Sequence, residues 1–132
     1  MAVLGCIADD FTGASDAASF LAAGGMAVRL FNGIPEGKAE TDRIKEWLRS
    51  GTPAGGDTGA ALVVALKTRT QPAGQAVRDS LAALRWLRDQ GAGQFYVKYC
   101  STFDSTPAGN IGPIADAAME FTGSPYTLLC PS

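Results

Sequence analysis

Apolar runs recur along the chain at the spacing of alternating strands and helices. Ala2 to Ala8 is apolar on both faces, as a parallel strand covered by helices on both sides requires. It stops abruptly at Asp9-Asp10. The small-residue segment from about Gly13 to Ala23 is predicted as a helix, with Thr12 as its N-cap, Asp16 near its first turn and Gly24-Gly25 as its stop. Ala27 to Phe31 is the second predicted strand, and Asn32-Gly33-Ile34-Pro35 turns the chain. Glu36 to Ser50 reads as a charged surface helix with Ile44, Trp47 and Leu48 along one side. Gly51 to Gly59 is a Gly-rich linker. Its Gly55-Gly56-Asp57-Thr58-Gly59 run lacks a following Gly-Lys-Ser/Thr and precedes a strand, so it is not read as a phosphate loop.

The second half repeats the alternation. Ala60 to Leu66 is the strongest apolar run and ends in Lys67-Thr68-Arg69-Thr70. Ala73 to Gln90 is predicted as a helix, with Val77, Leu81, Leu84 and Leu87 at helical spacing and Gly91 and Gly93 as stops. Gln94 to Tyr99 is the fourth strand. A polar stretch comes next, and a fourth helix is expected from Pro113, a good first helical residue. Ser124-Pro125 leads to a fifth strand, Tyr126 to Cys130. Crossovers of helical length imply an α/β fold: a mostly parallel, five-stranded, Rossmann-like sheet with helices on both faces. Right-handed crossovers then bring every strand's carboxyl end to one edge, where such sheets bind ligands.

Composition narrows the possibilities. With 132 residues, 46% of them hydrophobic and 18% charged, the chain is one domain able to bury a core. A net charge of −2 supplies no basic field for nucleic acid and no polybasic membrane signal. No apolar run approaches the roughly 20 residues of a membrane span, and no secretion-type leader is seen. Three widely spaced cysteines, Cys6, Cys100 and Cys130, favour reduced thiols and a cytoplasmic setting over a disulfide framework or a zinc site. The chain contains no histidine, which excludes a Ser-His-Asp or Cys-His mechanism within it.

The polar residues collect at the strand ends. The first strand ends in Asp9-Asp10-Phe11-Thr12-Gly13, the third in Lys67-Thr68-Arg69, and the fourth carries Lys98 and runs into Ser101-Thr102 and Asp104-Ser105-Thr106. Two carboxylates thus face two lysines and an arginine at one edge, with hydroxyls and Gly-flanked N–H groups beside them. Such a set suits a small polyhydroxylated anion: Arg and Lys take a carboxylate, Asp accepts from sugar hydroxyls, and helix N-termini favour negative charge. Each feature also has a plainer reading. Asp9-Asp10 can cap a helix, Lys67 and Arg69 can be solvated, and the Ser/Thr run can be a turn cluster. Lys98, within an aromatic and aliphatic strand, either snorkels, pairs with an acid or serves a ligand. Trp47 and Trp86 are expected to be packing residues.

Three motifs in this order resemble the N-terminal part of the four-carbon acid sugar kinase family. They are Ala8-Asp9-Asp10-Phe11-Thr12-Gly13-Ala14-Ser15-Asp16, Leu66-Lys67-Thr68-Arg69-Thr70, and the long run from Lys98-Tyr99-Cys100-Ser101-Thr102-Phe103-Asp104 through Ser105-Thr106-Pro107-Ala108-Gly109-Asn110-Ile111-Gly112. Within that family the chain is most similar to the kinases of 3-oxo-tetronates. The resemblance implies ATP-dependent phosphorylation of the terminal hydroxyl of a four-carbon acid sugar. It further implies that residues 1–132 are the N-terminal part of a substrate-binding domain, with ATP and Mg2+ bound mainly by a C-terminal domain outside this chain. Substrate contacts are expected from Asp9, Asp10, Thr12, Gly13, Lys67, Arg69, Lys98, Ser101, Thr102, Asp104, Ser105, Thr106 and Asn110, with Asp9 and Asp10 as candidate bases. Other members carry an arginine where this chain has Ala108, so Arg69 or Lys98 would take the sugar-acid carboxylate here. The expected partners are the acid sugar, the remainder of the kinase chain and, through an apolar edge, further copies of the chain. Two other classes fit less of the pattern. One is a non-catalytic sugar-acid-binding domain. The other is a receiver-like signalling module, which needs an aspartate where Lys67 stands.

Overall fold

The computed structural model describes residues 3–49, 59–68, 71–98 and 111–123, and of Ile111 and Gly112 the backbone only. Strands and helices alternate: β1 (Val3–Ala8), α1 (Phe11–Ala23), β2 (Ala27–Asn32), α2 (Lys38–Arg49), β3 (Ala60–Ala65), α3 (Ala73–Asp89), β4 (Gln94–Lys98) and α4 (Ile111–Thr122). The strands form one parallel sheet in the order β2-β3-β1-β4. The expected parallel α/β class is borne out with four strands among the described residues. The expected fifth, Tyr126 to Cys130, lies outside them, as does most of the Gly-rich linker.

β3 lies between β2 and β1, and all six of its residues are buried, as an all-apolar run of Ala, Leu and Val should be. One face of the sheet carries Ile7, Leu62 and Val64, packed with Ile44 of α2 and with Ala83, Leu84 and Leu87 of α3. The other face carries Cys6, Ala8, Val63 and Ala65 against Ala14 and Ala17 of α1. Small residues on both sides of that second layer allow α1 to lie close to the strands. Gly5 does the same for α3: a Cβ there would stand 3.1 Å from Leu87 Cβ and 3.2 Å from Ala92 Cβ.

Several local expectations are corrected. α1 begins at Phe11, not Gly13, and its N-cap is Asp10, not Thr12. The reason is reach: the Asp10 carboxylate accepts from Gly13 N–H at 2.6 Å, and a charged acceptor also gains from the helix dipole. Asp16 consequently lies beyond the first turn and is exposed. α2 is not only a surface feature, because Ile44 is 1% exposed within the larger core. On α3 the fully enclosed positions include Ala76, Ser80 and Ala83, whereas Val77 and Leu81 are half-buried. α4 starts at Ile111, which puts Pro113 third in the helix, still in the first turn where its missing N–H is harmless. The tryptophans pack as expected: Trp86 meets Phe31 edge-on at 5.5 Å between centroids, and Trp47 lies under the Arg29 guanidinium at 5.2 Å.

Candidate functional site

The carboxyl ends of β1, β3 and β4 are adjacent because the register aligns Ala8 with both Ala65 and Lys98. The residues just beyond these three strands therefore gather at one edge. Asp9 succeeds β1 and is buried at 9% exposure, with its backbone N–H donating to Lys98 O at 3.1 Å. Asp10 comes next and caps α1. Leu66, after β3, donates its N–H to Ala8 O at 2.9 Å, so Lys67 leaves the sheet at the same level and is exposed.

Lys98 lies on the α1 side of the sheet, the side it shares with Ala8 and Cys6. Its stem crosses the first turn of α1: a Cβ added to Gly13 would stand 3.7 Å from Lys98 Cγ and 2.7 Å from Asp10 Oδ1. Gly13 is thus the one residue type that leaves room for both the capping carboxylate and the lysine stem. The arrangement brings a buried carboxylate, a capping carboxylate, a lysine and a helix N-terminus into one corner. Buried carboxylates require cations or donors around them, and a lysine on an apolar strand gives its charge to this corner.

Of the sequence-predicted residues, the structure brings Asp9, Asp10, Gly13 and Lys98 together. Lys67 stands at the same edge, and Thr12 is exposed on the first turn of α1. Arg69, Ser101, Thr102, Asp104, Ser105, Thr106 and Asn110 lie outside the described residues. Thr68 is a candidate that sequence reasoning missed. It is only 2% exposed immediately after Lys67, and the available signal was a hydroxyl between two cationic residues at a strand end. Among the described residues no group of three or more Cys, Asp or Glu could hold a metal ion, and no helix is long and apolar enough to cross a membrane.

Cys6 lies two residues before Ala8 on the same face and is free. Burial pushes its thiol up from 9.0 to about 12, while the Lys98 ammonium draws it partly down. The neutral thiol is therefore unreactive in the folded chain. Cys6 is expected to escape alkylation at pH 8 until the protein is unfolded, as read by mass mapping of the Cys6 peptide. The raised folded value also sets the sign for stability. Below pH 9 Cys6 is neutral in both states and takes nothing from stability. As the pH rises from 9 towards 12 the unfolded thiol ionises first, so stability falls over that window. Cys6→Ala should flatten this part of the profile.

Known proteins share this sequence and fold. The model of the sugar-binding N-terminal domain family matches residues 4–132. A 3-oxo-tetronate kinase of Pseudomonas fluorescens is 51% identical over 130 residues, 98% of this chain and 27% of its own. The 3-oxo-tetronate kinase of Escherichia coli is 48% identical over 132 residues, 100% of this chain and 30% of its own. A solved structure from Salmonella typhimurium, named provisionally as a tRNA synthase, superimposes with a TM-score of 0.76 at 48% identity, covering 96% of this chain and 27% of that one. A solved Haemophilus influenzae protein gives a TM-score of 0.73 at 44% identity, over 90% of this chain and 25% of its own. The chain thus spans about a quarter to a third of the length of the relatives it matches.

Proposed function

The chain belongs to the family of sugar-binding N-terminal domains, and we propose that it is the acid-sugar-binding part of an ATP-dependent kinase acting on a four-carbon acid sugar, a 3-oxo-tetronate or related tetronate. The observation that carries this reading is the convergence of Asp9, Asp10 and Lys98 on the N-terminus of α1. A tetronate has one carboxylate and several hydroxyls. Lys98 and the α1 N-terminus suit the carboxylate, and Asp9 and Asp10 suit hydroxyl donors. The relatives' activity as 3-oxo-tetronate kinases points to the same class of ligand.

ATP with Mg2+ is the phosphoryl donor in this reading, held by the remainder of the kinase chain. The described residues do not fit a nucleotide site of their own. The β1–α1 turn is Asp9-Asp10, where a phosphate loop has glycines and a lysine, and its carboxylates would repel a triphosphate. This chain's task is to fix the sugar with its terminal hydroxyl directed at the nucleotide, since phosphoryl transfer depends chiefly on positioning and charge stabilisation. Arg69, Ser101, Thr102, Asp104, Ser105, Thr106 and Asn110 complete the proposed grip. A nucleic-acid role gains no support from a chain with a net charge of −2.

Asp10 tests the reading, because its structural and ligand roles separate. Asn caps a helix about as well as Asp, whereas Ala does not. In the full-length enzyme, Asp10→Asn should keep the cap, give up only the helix-dipole gain of about 0.3–1 kcal/mol, and lower kcat/KM for the tetronate at least about tenfold, equivalent to about 1.4 kcal/mol. Asp10→Ala should in addition lose about 0.5–2 kcal/mol of stability. Full activity in a stable Asp10→Asn enzyme would remove Asp10 from the site.

A further inference from the structure

We propose that Ser80 of α3 is a positioning residue for Asp9: through a buried water its hydroxyl holds the Asp9 carboxylate in the orientation that receives a sugar hydroxyl. The inference rests on the sugar-acid reading of this edge and adds to it a residue from the layer behind.

The side chains of β1 alternate between two faces. Cys6 and Ala8 face α1. Gly5 faces α3, where a Cβ would stand 3.1 Å from Leu87 Cβ, and Ile7 packs in the same layer with Leu84 and Leu87. The ladder continues past the strand, since Asp9 N–H donates to Lys98 O and Asp10 is extended at φ −150° and ψ 169°. The alternation therefore carries through both acids. Asp10 turns to α1, whose N-terminus it caps, and Asp9 borders the ligand edge from the α3 side.

α3 runs from the carboxyl edge back to the amino edge, where Gly93 N–H donates to Val3 O. Leu87 fixes its height at Gly5. Ser80 precedes Leu87 by about two turns, so it lies on the same stripe about 10 Å nearer the carboxyl edge. Asp9 lies about 13 Å beyond Gly5 along the strand. Ser80 thus stands just behind Asp9 in the layer between α3 and β1. The buried residues of α3 are Ala76, Ser80, Ala83, Leu84 and Leu87, so Ser80 supplies the polar group of that stripe.

Ser80 is 1% exposed, and its Oγ has no hydrogen-bond partner among the described residues. It does not bond back to a carbonyl of the preceding turn, the usual recourse of a helical serine. A buried hydroxyl in this state costs stability and calls for a partner such as an ordered water. A carboxylate accepts up to about four hydrogen bonds, so the contacts Asp9 already makes leave capacity for one more. A water that accepts from Ser80 Oγ and donates to Asp9 serves both groups. Held from behind, the carboxylate keeps its remaining lone pairs turned to the edge.

The test is a double-mutant cycle in the full-length enzyme, with Ser80→Ala and Asp9→Asn made singly and together. Alanine suits a helix and removes only a hydroxyl, so the fold should persist. Ser80→Ala is expected to lower kcat/KM for the tetronate about tenfold or more while KM for ATP is unchanged. In the Asp9→Asn background the same change should cost less than about twofold, because the group it acts through is gone. A crystal structure of the enzyme should show an ordered water within hydrogen-bond distance of both Ser80 Oγ and the Asp9 carboxylate. Equal losses from Ser80→Ala in the two backgrounds would overturn the proposal, as would a structure in which no water joins the two groups. A harmful Asp9→Asn beside a neutral Ser80→Ala would overturn this inference alone, and a raised melting temperature in that Ser80→Ala enzyme would mark the hydroxyl as an orphan of the core. A neutral Asp9→Asn would remove Asp9 from the site and this inference with it.

Discussion

Leu62→Ala is expected to lower the unfolding free energy by about 2–5 kcal/mol, the range for opening a cavity under a fully buried leucine. Leu62 sits midway along β3 with no exposed surface, and it packs in one cluster with Ile7, Ile44, Val64, Leu84 and Leu87. β3 is flanked on both sides, by β2 and β1, so neither strand can shift inward to fill the void. A small domain commonly has about 5–15 kcal/mol of stability in total, so this one change would remove a large share of it. Leu30→Ala provides the contrast. Leu30 is on the edge strand β2, on the α1 face, and is 36% exposed. Its loss should stay within about 1 kcal/mol. Urea denaturation followed by circular dichroism measures both. Equal losses would mean that the larger core does not lie between β3 and the α2/α3 layer.

That core is legible in the apolar runs, and the reasons it is legible bear on what is not. A parallel strand buried on both faces leaves a signature that survives without an alignment, which is why Val3–Ala8 and Ala60–Ala65 match their expected spans within a residue or so. The polar residues after those runs are legible for the same cause, since parallel strands share one carboxyl edge. The strand order is not. β1 and β3 read alike, and only the packing of α1 against Cys6 and Ala8 and of α3 against Ile7 and Leu62 decides which way each crossover goes. The capping residue is ambiguous in sequence because Asp10 and Thr12 are both good caps. The choice between them is geometric, made by a carboxylate 2.6 Å from Gly13 N. The inward face of α3 differs from expectation because periodicity favours large apolar residues. Gly5 lets α3 come close at Leu87, and along the rest of its inward face the helix buries the small residues Ala76, Ser80 and Ala83 beside Leu84.

Lys98 is the residue on which the structural and ligand readings diverge most, and Lys98→Met separates them. Methionine keeps an unbranched stem over Gly13, where Lys98 Cγ now stands 3.7 Å from the position of a Cβ, so the packing of α1 on the sheet should persist. The variant loses only the ammonium. If that charge holds the sugar-acid carboxylate, the full-length enzyme loses a charge-assisted hydrogen bond worth about 1.5–3 kcal/mol. KM for the tetronate should then rise by roughly ten- to 150-fold. The loss should be specific to the carboxylate: binding of a neutral four-carbon polyol should be affected little. If Lys98 serves only to neutralise buried Asp9, the pattern reverses. Stability falls, because a buried carboxylate has lost its counter-charge, while the preference for the acid over the polyol is unchanged. Cys6 reports on the same charge independently. Because the Lys98 ammonium lowers the thiol's value, Lys98→Met should make Cys6 still harder to ionise, and the alkaline fall in stability should persist. A preserved acid-over-polyol preference in a variant that nonetheless shows that Cys6 response would assign Lys98 to the fold and leave the carboxylate to Lys67 and Arg69.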